Sequence, residues 1–278
     1  MIRMIALDLD GTLFSKFGTL SSYAADVLRK VRKNGILVVI SSGRPLYSIQ
    51  REIPEDCYDF ASCLNGHEIY DRMHDRHIVH RNLTEEEIRY LSKDLEAYRM
   101  RMGCSLKDGF QYFVSPSYVH YFRCLDFLSA VYHSLHHQKY WPATMLTDLT
   151  GLIHEPIAKL CYQGPEKVLK LYLSSIDQNR FSCFFVSPHW LEIQVKGTSK
   201  GDAYREIQQM TGIASSQCAC AGDGENDLPM FAVSGLSIAP ANAMPSVKQK
   251  ADLIIGKNDE DSVAHWMEDH LIPTEMTN

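Results

Sequence analysis

Apolar residues recur along this chain in runs of strand length, each closed by glycine or a polar cluster, with stretches of helical spacing between them. Met4-Ile5-Ala6-Leu7 leads into Asp8-Leu9-Asp10-Gly11-Thr12, which predicts a buried strand delivering two carboxylates to its carboxyl end. With a period of two, Asp8 and Asp10 would project to one side and reach a common cation or phosphate; the plainer alternative is a strand and an ordinary Asp-Gly turn. Ser21 or Ser22 can cap a helix over about 23–33, where Val27, Leu28 and Val31 keep helical spacing until Asn34-Gly35. Ile36-Leu37-Val38-Val39-Ile40 is a second strand, stopping at Ser41-Ser42-Gly43-Arg44-Pro45. This is a βαβ unit, and parallel strands put Asp8 and Ser42 on one sheet edge.

A third strand over 61–64 is followed by the turn signal Asn65-Gly66 and an alternating stretch over 67–81 that predicts a projecting hairpin. His74, His77 and His80 fall on alternating faces there, so they are read as exposed rather than as a metal cluster.

From Leu83 the texture changes. Thr84 and the acidic turn Glu85-Glu86-Glu87 open a helix to about 98, strands are expected near 102–106 and 111–114, and aromatics crowd the stretch from Tyr112 to Trp141. A helix is predicted within 125–137, with His133, His136 and His137 on part of a solvated face. Strand, helix and strand follow over 157–162, 165–175 and 181–187. The expectation is an inserted α+β unit, residues 83–188, between two pieces of one core, 1–82 and 189–278.

Leu191-Glu192-Ile193-Gln194-Val195 alternates cleanly and leads through Thr198-Ser199 to Lys200 and a helix over 202–210 ended by Gly212. A lysine at the positive end of a helix dipole suggests an anion nearby, or is simply a surface lysine. A short strand over 217–221 then ends on Gly222-Asp223-Gly224-Glu225-Asn226-Asp227, which lacks the length and closing glutamate of an EF-hand. A helical turn over 228–233, a strand over 236–239, and a final helix and strand over 247–251 and 253–255 complete the pattern.

With 45% hydrophobic and 22% charged residues and a net charge of -6, the 278-residue composition suggests neither disorder nor a nucleic-acid surface. No apolar run is long enough to cross a bilayer and no signal peptide is recognised, so a cytoplasmic protein is expected. The eight cysteines are scattered, none in C-x-x-C spacing, and are read as buried thiols.

Asp8-x-Asp10-Gly11-Thr12, Ser42-Gly43-Arg44, and Lys200 with Gly222-Asp223-Gly224-Glu225-Asn226-Asp227, in that order, resemble the haloacid dehalogenase-like phosphatases. The closest resemblance is to the Cof-type subfamily, in which a large α/β cap is inserted between the second and third motifs. It covers nearly the whole chain and implies an α/β fold, a doubly wound parallel sheet with a Rossmann-like core, plus the inserted cap. It implies Asp8 as nucleophile, Asp10 as acid and base, and Mg²⁺ held by Asp8, the carbonyl of Asp10 and Asp223. Asn226 and Asp227 would steady that shell, with Gly11 and Thr12 supporting the loop. Ser42, the Gly43 amide and Lys200 would bind the phosphoryl group, with Arg44 reaching the phosphate or leaving group. The implied function is a Mg²⁺-dependent phosphatase for small phosphorylated metabolites, sugar phosphates above all, as a monomer or small homo-oligomer without nucleic-acid or membrane partners. The rivals are a phosphomutase or phosphotransferase and a non-catalytic phosphometabolite-binding regulator.

Overall fold

The computed structural model describes residues 1–106, 109–135, 144–151 and 156–273. It divides into two compact units, Met1–His80 with Thr198–Asn278, and Arg81–Gly197. The first contributes β1 (Met4–Leu7), β2 (Leu37–Ser41), β3 (Phe60–Cys63), β4 (Glu68–Asp71) and β5 (Arg76–Val79). The second holds β6 (Arg101–Leu106), β7 (Gly109–Phe113), β8 (Thr144–Leu146), β9 (Lys159–Gln163), β10 (Phe181–Ser187) and β11 (Trp190–Val195). The first resumes with β12 (Cys218–Ala221), β13 (Leu236–Pro240) and β14 (Leu253–Ile255).

The first unit is one sheet in the order β14-β13-β12-β1-β2-β3-β4-β5. It is parallel from β14 to β3, and the β4–β5 hairpin adds antiparallel strands at one edge. Both faces are covered, which is why the strands read as continuous apolar runs. Along β1, Ile5 and Leu7 enter a core with the helix Ser22–Lys33, while Met4 and Ala6 enter another with Ala203, Tyr204 and Ile207 of the helix Lys200–Thr211. This is the doubly wound α/β arrangement expected.

Ser21 Oγ caps the first helix by accepting from the Ala24 N–H at 2.9 Å. Beyond the strand 253–255, the last element expected from the pattern, a further helix, Ser262–Leu271, buries Val263, Ala264, Trp266, Met267 and Leu271 in the core it shares with the first helix. Its Glu268 accepts from Tyr23 Oη and Lys30 Nζ, both at 2.7 Å.

The second unit is a sheet in the order β10-β11-β9-β6-β7-β8. Here the expected boundary at 188 needs correction. β11 pairs antiparallel with β10 and β9, so the alternating stretch 191–195 belongs to the inserted unit, which runs to Gly197. The helix expected to about 98 breaks into Glu85–Ser92 and Leu95–Tyr98. Tyr162 and Tyr172 both donate to the Leu91 carbonyl, at 3.0 and 2.5 Å, tying two segments of this core together. The helix predicted within 125–137 spans Val119–Leu135. His136 and His137 lie outside the described residues, as does the side chain of His133.

Cys124 is exposed and Cys183 half-buried, so the reading of buried thiols holds only for the other six. His74 pairs with Asp71 and His77 with Glu68, both at 2.8 Å through Nδ1. Among the described residues no helix is long and apolar enough to cross a membrane.

Candidate active site

Every expected core motif sits on the carboxyl edge of the parallel strands. β1 stops at Leu7, so the alternation expected to bring both aspartates to one side ends before it reaches them. Gly11 turns the chain at φ 85°, and a Cβ there would lie 2.3 Å from Asp223 Oδ2, which excludes any side chain. Asp8 consequently points inward and is 5% exposed, whereas the Asp10 carboxylate turns outward and is about half exposed. That corrects the expectation of a shared side.

The centre is built around Lys200, which is fully buried in the first turn of the helix Lys200–Thr211. Its Nζ donates to Asp8 Oδ1 and to Asp227 Oδ1, each at 2.6 Å. The anion that its position suggested is therefore present as protein carboxylate. Asp8, Asp223 and Asp227 each bring one carboxylate oxygen within 4.8 Å of the others, and among the described residues they form the one acidic, histidine or cysteine group compact enough to hold a metal.

Asp227 Oδ2 accepts from the backbone N–H groups of Asp223 (2.9 Å) and Gly224 (3.0 Å), which folds the acidic loop back on itself. Thr12 donates to Asp223 Oδ1 at 3.3 Å. Thus the turn after β1 supplies Asp8 and Thr12, the loop after β12 supplies Asp223 and Asp227, and one helix start supplies the cation.

Burial pushes the Asp8 carboxyl well above the usual carboxylate range against the pull of Lys200, with Asp227 and Asp223 adding to the rise. Asp223 is pushed up to about 7, first by burial and then by Asp227. For Lys200, burial favours the neutral amine, but Asp227 and Asp8 outweigh it and its pKa rises. Three carboxyl groups facing one ammonium in a largely buried site can all ionise only if further positive charge lies beside them. That need and the all-oxygen donor set fit a hard divalent cation.

Ser42 lies just past β2, with its hydroxyl accepting from the Arg44 N–H at 3.2 Å; Gly43 lies between them. Arg44 does not extend toward the buried acids. Its Nε and Nη2 donate to the two oxygens of Asp10, at 2.7 and 2.6 Å. Asn226 Nδ2 donates to Asn65 Oδ1 at 3.1 Å, and the Asn65 N–H donates to the Ser42 carbonyl at 3.0 Å. Asn226 therefore connects to the Ser42 turn.

Asn65 was read only as a turn signal. It is fully buried at φ 55°, and the next residue, Gly66, sits at φ 90° where a Cβ would come within 2.2 Å of the Ser199 carbonyl oxygen. The Asn-Gly pair thus lets this loop close onto the residue before Lys200. Asn242, also missed, donates to the Gly11 carbonyl at 2.7 Å.

A family model of haloacid dehalogenase-like hydrolases matches residues 5–267. The chain belongs to that family. Among similar proteins, this hydrolase is 26% identical over 289 residues to the 5-amino-6-(5-phospho-D-ribitylamino)uracil phosphatase YwtE of Bacillus subtilis strain 168, covering 96% of this chain and 97% of the relative. It is 25% identical over 289 residues to the pyridoxal phosphate phosphatase YbhA of Escherichia coli K12, covering 97% and 99%. In fold it resembles a sugar phosphatase of haloacid dehalogenase subclass IIB, with a TM-score of 0.77 at 19% identity over 98% of this chain and all of the other. The resemblance drawn from the motifs, and the expectation of a phosphoric monoester hydrolase, agree with these findings.

Proposed function

We propose that this hydrolase is a Mg²⁺-dependent phosphatase acting on phosphate monoesters of small metabolites, with Asp8 as the nucleophile. The observation that carries the reading is the buried contact of Lys200 with Asp8 and Asp227, beside Asp223. Asp8 and Asp223 are the side chains that would hold Mg²⁺, with the Asp10 carbonyl as a further oxygen and Asp227 steadying the loop beside them; bound there, Mg²⁺ would supply positive charge against the phosphoryl oxygens. Lys200 adds a fixed ammonium, and its ion pairs hold Asp8 in one orientation.

In the proposed sequence a carboxylate oxygen of Asp8 attacks phosphorus, the ester oxygen leaves, and an aspartyl-phosphate forms. Asp10 gives its proton to the leaving oxygen, then takes one from the water that hydrolyses the acyl phosphate. Arg44 engages both oxygens of Asp10, and in this role the pair holds the carboxylate toward the leaving group. Ser42 and the Gly43 amide are assigned to the phosphoryl group, and Arg44 to its leaving side.

Sugar phosphates are the substrate class we favour. That choice is supported by the subclass IIB sugar phosphatase and by the phosphoribityl group in the substrate of YwtE. We assign selection among them to the inserted unit 81–197, because the groups gathered at the core site are suited to phosphate alone. The deciding experiment measures inorganic phosphate released from an aryl phosphate and from a panel of sugar phosphates, with Mg²⁺ and with a chelator. Mg²⁺-dependent release that favours sugar phosphates is expected. Release unaffected by chelation would overturn the metal assignment, and a preference for other phosphates would overturn the substrate class.

A further inference from the structure

The helix Val119–Leu135 has two unlike faces. Inward, Phe122 is buried and Asp126 accepts from Arg101 Nη1 at 2.5 Å, which anchors the helix on its own unit. Outward, Tyr121, Leu125, Leu128, Tyr132 and Leu135 are 57%, 40%, 61%, 55% and 73% exposed. Phe127 at 69% and Val131 at 40% widen this surface on one side. A helix packed on only one side normally turns its polar residues outward, and here the order is reversed.

The outward residues are spaced four, three, four and three apart. That is the repeat of a coiled-coil seam, which keeps one narrow stripe in line over two heptads and fits a helix bearing the same stripe. Arg123 and Asp126 are the only Arg, Lys, Asp or Glu residues in the helix, and both lie off the stripe. Large side chains exposed to this extent offer on the order of 600 Å² of mostly apolar surface, the upper end of the largest patch on a typical monomer and most of one partner's share of a standard interface.

We infer that this stripe is the interface between two copies of the chain, paired helix to helix across a two-fold axis. Such a pairing is isologous: the same patch serves both subunits, so the one stripe satisfies both partners. The four-three spacing selects a helical partner over a flat or irregular one, and a second copy brings the same uncharged stripe in the same register.

Sedimentation equilibrium of the full chain across the micromolar range tests the inference. A concentration-dependent dimer is expected. The double variant Leu128→Glu with Leu135→Glu should raise its dissociation constant by roughly 100-fold or more, because a carboxylate buried in an apolar seam loses its hydration. Leu128 and Leu135 are exposed within the subunit, so thermal melting at low protein concentration should be unchanged; Leu128→Lys alone provides a second variant in the same stripe. Leu171→Glu, at a residue 60% exposed on the helix Glu166–Ser174, should leave the dimer intact. A wild-type monomer throughout the range would overturn the inference, as would a dimer that survives the stripe variants. Open-ended association, or a monomer that binds neutral lipid vesicles through the stripe, would equally assign this face to another role.

Discussion

Arg44 grips Asp10 by both carboxylate oxygens, at 2.7 and 2.6 Å, while its guanidinium lies 5.0 Å from the centre of the Phe14 ring. In the proposed reaction this makes Arg44 a residue that positions the acid rather than a simple phosphate ligand. If so, Arg44→Gln should lower kcat by about tenfold on an alkyl phosphate, whose leaving oxygen needs a proton, and less on a nitrophenyl phosphate. A rise in KM of equal size on both substrates, with kcat unchanged, would instead assign Arg44 to binding the phosphoryl group.

Asp8→Asn keeps the shape of the buried side chain but removes the nucleophile and one charge facing Lys200. Turnover should fall by roughly 10⁴-fold or more, with the fold retained as judged by circular dichroism and thermal melting. Phosphate release at the wild-type rate would end the assignment of Asp8 as nucleophile.

The sequence displayed the core well because parallel strands covered on both faces must be apolar and must end where polar chemistry begins. Asp8, Ser42 and Asp223 could therefore be placed on one edge from the runs that precede them. What it did not display follows from the same physics. A period of two holds only inside a strand, so it could not reveal that β1 stops at Leu7 and that Gly11 sends Asp8 and Asp10 apart. The alternation of 191–195 identifies a strand but not its sheet, since pairing with β9 and β10 is a long-range event. Asn65 is a turn residue by composition; only the fold places its side chain against Asn226. The helix Ser262–Leu271 does carry a signal, the helical spacing of Val263, Trp266, Met267 and Leu271.

Glu87 gives the inserted unit a defined acid response. It accepts from Arg81 at 2.7 and 3.0 Å and from the Thr84 N–H at 2.8 Å, and the Arg81 guanidinium foremost holds its carboxyl down to about 2 against the opposing effect of burial. A depressed folded-state pKa contributes stability above the ordinary value of 4.5, and that contribution is lost as pH falls from there through about 2. Glu87→Gln should therefore cost roughly 1–3 kcal/mol at neutral pH and much less near the bottom of that window. Denaturant unfolding of both proteins across the window is the measurement. A cost that does not shrink with falling pH would mean that the charge contributes nothing.

Two opposite charges are buried as a pair inside the second unit. Lys159 Nζ lies 2.7 Å from Glu192 Oε1, with both side chains under 8% exposed. The two partners are unequally placed: Glu192 also accepts from Trp190 Nε1 at 3.2 Å, whereas Glu192 is the hydrogen-bond acceptor observed for the Lys159 ammonium. Removing Glu192 thus strands a cation, while removing Lys159 leaves a carboxylate that retains a donor. Breaking a buried pair costs about 3–5 kcal/mol through the charge left behind, so Glu192→Leu should lie near the upper end and Lys159→Met below it. The double variant removes both charges and should cost less than the sum, by about 2 kcal/mol or more. A double-mutant cycle on unfolding free energies measures this directly. Additive costs would show that the two charges are solvated separately and that the short contact contributes no coupling.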